Sequence, residues 1–162
     1  MTWRVAVEPV DQPEAVALVG ELDAHLEPLY PPESRYGLTL DGLRAPHVRF
    51  VLARDASGAA QACGAVALLP QFAELKRMYV RPSVRGQGAA DAMVRFLEGI
   101  AVARGYGALY LETGVLQHAA MAFYERVGFR RRGAFGSYGE DPTSVFMEKP
   151  LAGGSSESRG AP

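Results

Sequence analysis

Apolar and polar residues follow two different periods along the chain, and each period predicts one kind of secondary structure. Residues 3–8 alternate and contain β-branched side chains, which predicts a strand. Asp11 and Pro13 are residue types that start helices, and the helix that follows is predicted to end near Leu26. Residues 29–46 contain two adjacent prolines, so we expect an irregular connection with one short helical turn in its second half.

The middle of the chain predicts a hairpin, a further strand and a long helix. Residues 47–55 and 59–69 are apolar runs around an Ala-Ser-Gly turn, which is typical of an antiparallel hairpin. Residues 72–80 predict the next strand. Apolar residues then recur at helical spacing over residues 86–104, and Gly105 is placed to end this helix in a left-handed conformation.

The last third of the chain predicts one more strand and helix, followed by two short strands. The strand covers residues 108–113 and the helix residues 117–128. The closing strands lie within residues 129–135 and 143–149. The order of elements is therefore β, α, three strands, α, β, α and two strands, which predicts a mixed sheet with helices on its faces.

The composition fits one domain with a single hydrophobic core. The chain has 162 residues, and we expect one domain over residues 1–151, followed by a disordered polar tail over residues 152–162. The net charge of −1 disfavours a nucleic acid or a membrane surface as the main partner. No apolar run approaches the roughly 18 residues that span a bilayer, and the first residues lack a secretion signal. We therefore expect a cytoplasmic protein.

Cysteine and histidine usage gives no indication of a metal site. Cys63 is the single cysteine, which excludes an internal disulfide, and its apolar surroundings predict a buried core residue. The three histidines, His25, His47 and His118, lack the close spacing of metal ligands. We predict no bound metal.

The segment that follows Val80 has the residues of an anion-binding turn. It consists of Arg85, Gly86, Gln87, Gly88, Ala89 and Ala90. A strand that ends before it and a helix that starts within it would direct several unpaired N–H groups at one point. Glycines allow a ligand to approach closely, and Arg85 can donate charge-assisted hydrogen bonds to a phosphate. The segment predicts a pyrophosphate site, with a turn of no function as the alternative.

Two nucleotide-binding motifs fit this segment poorly. A Walker P-loop needs a lysine and a hydroxyl residue after its last glycine, where the chain has Ala89 and Ala90. A dinucleotide fingerprint needs a third glycine where the chain has Asp91, and it lies in a parallel βαβ unit instead of after a hairpin. A nucleotide-binding Rossmann domain is therefore disfavoured.

Two motifs follow each other at a defined separation in the second half of the chain. Arg85, Gly88 and Ala90 match the pattern Arg/Gln-x-x-Gly-x-Gly/Ala, and a later helix resembles Asn-x-x-Ala-x-x-x-Tyr-Glu-x-x-Gly-Phe. The residues that match the helix pattern are Ala120, Tyr124, Glu125, Gly128 and Phe129. Both motifs, together with the order of elements as far as Leu151, resemble the GNAT superfamily of acetyl-CoA-dependent N-acetyltransferases. Gln117 stands where the superfamily usually has an asparagine that helps to hold the cofactor arm.

The resemblance implies a fold and a cofactor. The fold class is α/β (α+β), a GNAT-like acyl-CoA N-acyltransferase fold with a mixed, mostly antiparallel central sheet of about six to seven strands and helices on both faces. The cofactor is acetyl-CoA, whose pantetheine arm would pair with the backbone of Met78, Tyr79 and Val80 like an added strand. The amides from Arg85 to Ala90 would hold its pyrophosphate, and Gln117 would contact the arm. Many relatives pair, so a homodimer is also implied.

The resemblance also implies roles for acids and bases. Glu74 resembles the glutamate that acts as general base in several members, and Glu112 at the end of the neighbouring strand is the competing base. Either could instead be an ion-paired strand carboxylate. Tyr124 would be the general acid that protonates the leaving thiolate, with a core aromatic residue as the alternative. The backbone N–H of Val80 or of its neighbour would hold the oxyanion.

Two loops rich in polar and aromatic residues are the predicted walls of the acceptor pocket. They contribute Glu33, Ser34, Arg35 and Tyr36 from the first loop, and Tyr138, Glu140 and Asp141 from the second. Carboxylates would suit a cationic amine, and Arg35 would suit an acceptor that also carries a carboxylate. Ordinary turn chemistry is the alternative for each residue.

The sequence thus predicts an enzyme that transfers the acetyl group of acetyl-CoA to a primary amine of a small molecule, by direct attack in a ternary complex. A lysine or N-terminus of a protein is the alternative acceptor. A catalytically silent CoA-binding or interaction module with the same fold is the alternative of a different class.

Overall fold

The computed structural model describes residues 2–152, so the predicted tail beyond Ala152 lies outside the described residues. The strands in this part of the chain are β1 (Arg4–Val7), β2 (Val48–Arg54), β3 (Ala60–Leu68), β4 (Ala73–Val80), β5 (Ala108–Gly114), β6 (Arg130–Arg132) and β7 (Ser144–Pro150). They form one sheet in the order β1-β2-β3-β4-β5-β7-β6. Neighbours are antiparallel except for the parallel pair β4 and β5. The mixed, mostly antiparallel sheet predicted from the sequence is confirmed.

Helices cover both faces of the sheet, as predicted. They are α1 (Pro13–Leu26), α2 (Leu40–Leu43), α3 (Ala89–Ala103) and α4 (His118–Arg126). On one face, α1 and α2 pack against β2 and β3, with Leu18 and Leu52 buried between them. On the other face, α3 and α4 pack through buried side chains such as Met93 and Leu97 against Leu111 and its neighbours. Burying each of these side chains stabilises the fold by about 1.5–3 kcal/mol.

The helix ends follow the glycines of the sequence. Gly88 precedes α3 with φ of 93°, and Gly105 follows it with φ of 87°. Gly128 follows α4 with φ of 109°. All three values lie in the left-handed region, which confirms the prediction for Gly105. Asp11 lies before α1 but binds a side chain instead of the helix, since its carboxylate accepts a hydrogen bond from Arg44 Nε at 2.7 Å.

The parallel strands β4 and β5 separate soon after they meet. Their register contains two residue pairs, the second of which joins Glu74 to Tyr110. Further along β4, the register with β3 shifts opposite Gly64, and Arg77 adopts a left-handed φ of 57°. A bulge of this kind bends a strand away from its neighbour. The second half of β4 is therefore paired with β3 on one edge and open on the other.

Candidate active site

Two cavities lie where β4 and β5 separate. The larger is a cleft of about 730 Å³ between the open edge of β4, the turn before α3 and the first part of α4. The smaller is a pocket of about 110 Å³ between β4, β5 and the connection after α1. The residues that line both are Leu22, Met78, Gln117, Ala120 and Tyr124. The cleft and the pocket therefore meet beside Tyr124.

The turn before α3 presents free amides to the cleft. Gly86 and Gly88 have φ of 79° and 93°, backbone conformations that residues with a Cβ rarely adopt. Among the described residues, the N–H groups from Gly86 to Ala90 have no hydrogen-bond acceptor. The positive end of the α3 dipole adds to these donors, so the turn fits a pyrophosphate. The predicted residues that line the cleft here are Arg85, Gly86, Gly88, Ala89 and Ala90, whereas Gln87 does not.

Two side chains fix this turn from the protein side. The indole Nε1 of Trp3 donates a hydrogen bond to the carbonyl of Gln87 at 2.8 Å. Arg85 Nε donates to the carbonyl of Val80 at 3.0 Å, so the guanidinium lies against the open edge of β4. The terminal nitrogens of Arg85 have no acceptor within residues 2–152, and they remain available to an anion in the cleft.

The open edge of β4 offers backbone groups to an extended ligand. Met78, Tyr79 and Val80 all line the cleft. The N–H of Arg81 donates to Gln61 on the opposite side, at 3.1 Å. Successive residues of a strand direct their N–H groups to opposite edges, so the N–H of Val80 faces the cleft, as does its carbonyl. This edge has the donors and acceptors that an amide-bearing arm needs.

Gln117 is fixed by the turn between β5 and α4. Its Oε1 accepts hydrogen bonds from the N–H of Gly114 at 3.0 Å and from Thr113 Oγ1 at 3.3 Å. Its Nε2 has no acceptor in the described part of the chain, and the side chain lines both cavities. The amide is thus oriented so that its N–H₂ group is the part left for a ligand.

Tyr124 lies on the buried stripe of α4, with 8% of its surface exposed. Its ring packs against Phe123 and Phe129 at centroid distances of 5.3 and 5.5 Å. Burial raises the pKa of its phenol well above the usual range. The hydroxyl therefore keeps its proton at neutral pH and can serve as a proton donor where the two cavities meet.

The two predicted carboxylates line the small pocket but differ in their partners. Glu74 Oε2 accepts hydrogen bonds from the hydroxyl of Tyr138 at 2.5 Å and from Lys76 Nζ at 3.4 Å. Glu112 Oε2 accepts a hydrogen bond from Ser144 Oγ at 2.7 Å. Burial raises the pKa of Glu112, although the hydrogen bond from Ser144 and the charge of Lys76 oppose the change. Glu112 thus has the higher proton affinity that a general base requires.

The two predicted acceptor loops are joined beside the pocket by Asp141. Its Oδ2 accepts hydrogen bonds from the hydroxyl of Tyr36 at 2.5 Å and from Ser34 Oγ at 2.9 Å. The bonds from Tyr36, from Thr143 and from Ser34 hold the pKa of Asp141 below its usual range. The bond to Asp141 raises the pKa of Tyr36 to about 12. Lys76 Nζ donates to the carbonyl of Tyr36 at 3.1 Å and to the hydroxyl of Tyr138 at 2.9 Å. The loops and β4 therefore form one hydrogen-bonded wall.

The predicted acceptor residues fall into two groups. Ser34, Arg35 and Tyr36 line the pocket itself. Tyr138 and Asp141 do not line the pocket but bind residues that do: Tyr138 binds Glu74, and Asp141 binds Tyr36. Glu33 and Glu140 are exposed and line neither cavity.

Comparison with known proteins identifies the family. The model of the acetyltransferase (GNAT) family matches residues 18–129, which is more than half of the chain. An IAA acetyltransferase of Azospirillum brasilense is 45% identical over 91% of this chain and 97% of its own length. An uncharacterized N-acetyltransferase of Bacillus subtilis is 35% identical over 91% of this chain and 99% of its own. The protein belongs to the GNAT acetyltransferase family.

Solved structures of similar fold agree with this assignment. A protein from Klebsiella pneumoniae assigned as an acyl-CoA N-acyltransferase is 37% identical, with a TM-score of 0.78 over 93% of this chain and 98% of its own. The PaiA N-acetyltransferase of Thermoplasma acidophilum, solved with coenzyme A, has the same fold at 16% identity, with a TM-score of 0.72 over 93% of this chain and 99% of its own. As a GNAT acetyltransferase, the protein is an enzyme whose acetyl donor is acetyl-CoA.

Residues 2–152 of this GNAT acetyltransferase contain neither a membrane-crossing helix nor a metal-binding cluster. None of the helices in this range has the length and apolar character that a membrane crossing requires. The same range contains no cluster of three or more His, Cys, Asp or Glu side chains suited to a metal ion.

Two residues of the GNAT site, Trp3 and Ser144, were not identified from the sequence, and a third has a contact that the sequence does not show. Trp3 binds the glycine turn, and the one available signal was that it is the chain's single tryptophan. Ser144 lies in a predicted strand without any sign of a role, but its hydroxyl donates a hydrogen bond to Glu112. Tyr30 belongs to the first of the loops predicted as walls of the acceptor pocket, and it lines that pocket. Its hydroxyl also accepts a hydrogen bond from the N–H of Leu116 at 3.1 Å, a contact that could not be predicted. That contact fixes the turn that carries Gln117.

Proposed function

We propose that this enzyme acetylates a primary amine of a small molecule by direct attack in a ternary complex. The observation that carries the proposal is the meeting of two cavities beside Tyr124: a long cleft with free backbone donors and a small pocket with carboxylates. Donor and acceptor would enter from different sides and react at this junction. The relative from Azospirillum brasilense is named an IAA acetyltransferase, which also favours a small acceptor.

The residues that line the cleft would bind the cofactor. Bound acetyl-CoA supplies an acetyl thioester, which is reactive toward a neutral amine. The open edge from Met78 to Val80 would bind the amide-bearing arm, and Gln117 Nε2 would donate a hydrogen bond to it. The amides from Gly86 to Ala90 and the guanidinium of Arg85 would bind the pyrophosphate.

Glu112 would be the general base. A primary amine has a pKa near 10, so a proton must leave before or during the attack. The raised pKa of Glu112 suits this task, whereas the carboxylate of Glu74 is already bound by Tyr138 and Lys76. Glu74 would then hold the acceptor pocket in shape through these two partners.

Val80 would stabilise the reacting carbonyl group, and Tyr124 would protonate the leaving group. The N–H of Val80 faces the cleft and would stabilise the negative charge that develops on the carbonyl oxygen. The proton of the Tyr124 hydroxyl would pass to the departing sulfur. General-acid help of this kind is worth about 10²–10⁴ in rate.

A small acceptor is favoured over a protein by the size of the pocket. Its volume of about 110 Å³ is well below that of drug-sized ligand sites. The bonds from Ser34 and Tyr36 to Asp141 also tie together the two loops that border it. A protein lysine or N-terminus is the second candidate acceptor. The homodimer and the cytoplasmic location expected from the sequence stay predictions.

The experiment combines cofactor binding with turnover. Calorimetric titration with acetyl-CoA should show binding, and a panel of amines should release free thiol. The variant Tyr124→Phe should bind acetyl-CoA with unchanged affinity and lose about 10²-fold or more in kcat. The control is Tyr106→Phe, which removes a hydroxyl that binds Leu69 outside both cavities. Unchanged turnover in Tyr124→Phe would exclude the general-acid role, and acetylation of peptides alone would exclude the small acceptor.

A further inference from the structure

Arg35 is a positive charge of the acceptor pocket that has no partner. Its Nε is buried, and no nitrogen of its guanidinium has a hydrogen-bond acceptor or a carboxylate within reach among residues 2–152. A buried donor without an acceptor is rare, because leaving it unsatisfied costs about 1–3 kcal/mol. The guanidinium of Arg35 also has no ion pair in this part of the chain, so an anionic ligand in the pocket would supply the partner that the protein does not.

The charges of the other basic groups around the pocket are already paired within the protein, although Arg77 Nε, like Arg35 Nε, is buried without an acceptor among residues 2–152. Lys76 donates to Glu74, to Tyr138 and to the backbone. Arg77 forms an ion pair with Asp23. Arg35 is therefore the basic side chain of the pocket that is left for a ligand.

The backbone holds Arg35 in place on both sides. Its N–H donates to the carbonyl of Pro32 at 3.2 Å, at the end of a short 3-10 turn. The next residue, Tyr36, is fixed through Asp141 and Lys76. A guanidinium on a fixed stem is suited to bidentate hydrogen bonds with a planar carboxylate, which has two acceptor oxygens in the matching geometry.

We propose that the acceptor is an amino-carboxylate, whose carboxylate binds Arg35 while its amine faces the carboxylates of Glu74 and Glu112. This inference rests on the proposed function and narrows its substrate class. The small pocket has the charge pattern of such a zwitterion, with an unpaired cation on one wall and anions on another. An acceptor amine that has no carboxylate would fill the pocket and leave Arg35 without a partner.

The test compares each acid with its own amide. Thiol release is measured with the standard L-amino acids, β-alanine and 4-aminobutanoate, and with the amide of each. The amine of an amino-acid amide is less basic and reacts more readily, so a preference for the acid must come from binding. Wild-type enzyme should prefer the acid by about 10- to 100-fold in kcat/KM, as expected for a charged hydrogen bond.

Variants assign the preference to Arg35. Arg35→Met keeps the length of the stem and should reduce the ratio of acid to amide to near one. Arg104→Met, at an exposed position after α3, is the matched control and should keep the wild-type ratio. Calorimetric titration with the preferred acid, in the presence of coenzyme A, should show binding to wild type and not to Arg35→Met.

The possible results separate the two proposals. If amides or simple amines react as well as the acids, or if Arg35→Met keeps the preference, the amino-carboxylate proposal is wrong and the proposed function stands. If neither set of amines releases thiol although acetyl-CoA binds, the proposed function fails and this inference fails with it.

Discussion

Replacing Glu112 with glutamine tests which carboxylate removes the proton of the amine. The amide of glutamine has the same shape, and its oxygen can still accept the hydrogen bond from Ser144 that the carboxylate accepts at 2.7 Å. The change therefore removes the base and keeps the contact. General-base catalysis is worth about 10²–10⁴ in rate, or about 3–5 kcal/mol of barrier, and we expect Glu112→Gln to lose this in kcat.

The pH dependence of kcat/KM distinguishes a base from a structural residue. A carboxyl group must lose its proton to act as a base, so wild-type activity should rise with pH through the pKa of Glu112, which burial raises above the usual range. Glu112→Gln should lack this acid limb. Glu74→Gln is the matched control, and we expect it to raise the acceptor KM and to keep the limb, because Glu74 binds Tyr138 and Lys76.

Stability measurements test whether Glu112→Gln loses activity through the missing base and not through unfolding. A carboxyl with a raised pKa in the folded state stabilises the fold most below its unfolded pKa and loses this contribution as pH rises through its folded pKa. Glu112→Gln should therefore be at least as stable as wild type near pH 8, and the difference should shrink or reverse toward low pH. The opposite result would identify Glu74 as the base. In that case Glu112→Gln would keep the acid limb and a kcat within about threefold of wild type, and Glu74→Gln would lose the acid limb and most of its kcat.

Two further predictions concern contacts that shape the two cavities. Trp3→Phe removes the hydrogen bond to the carbonyl of Gln87, so the KM for acetyl-CoA should rise by about fivefold at unchanged kcat, as for one hydrogen bond; an unchanged KM would show that the turn is rigid without it. Asp141→Asn weakens the bonds from Ser34 and Tyr36, so steady-state kinetics should show a higher acceptor KM at an unchanged KM for acetyl-CoA, and equal changes in both would contradict a role confined to the acceptor pocket.

The order of elements and the glycine turn were predictable because their signals are local. Gly105 ends α3 with a left-handed φ of 87°, a role that its place after an apolar helical stripe already indicates. The turn over residues 85–90 combines an arginine and two glycines between a strand and a helix. Each of these features depends on a few consecutive residues, so one sequence is enough to find it.

Contacts between distant parts of the chain could not be predicted in the same way. Trp3 and Gln87 lie 84 residues apart, and Tyr138 and Glu74 lie 64 residues apart. The sequence shows that both loops are polar, but it does not show which carboxylate each side chain reaches. The choice between Glu74 and Glu112 as base therefore depended on partners that the folded chain provides.

The position of the active site is set by residues that have no chemical role in it. A continuous parallel pairing of β4 with β5 would satisfy the backbone groups of Val80 and leave no cleft. The actual pairing ends at Glu74, and the left-handed conformation of Arg77, which costs about 1–3 kcal/mol, follows shortly beyond its end. The guanidinium of Arg77 forms an ion pair with Asp23, and one glycine makes room for Arg77 while another makes room for the residue that follows it. A Cβ at Gly37 would lie 2.0 Å from Arg77 Nη1, and one at Gly64 would lie 2.4 Å from the sulfur of the residue after Arg77. Gly37 and Gly64 thus help to shape the part of β4 at which we propose that the cofactor arm binds.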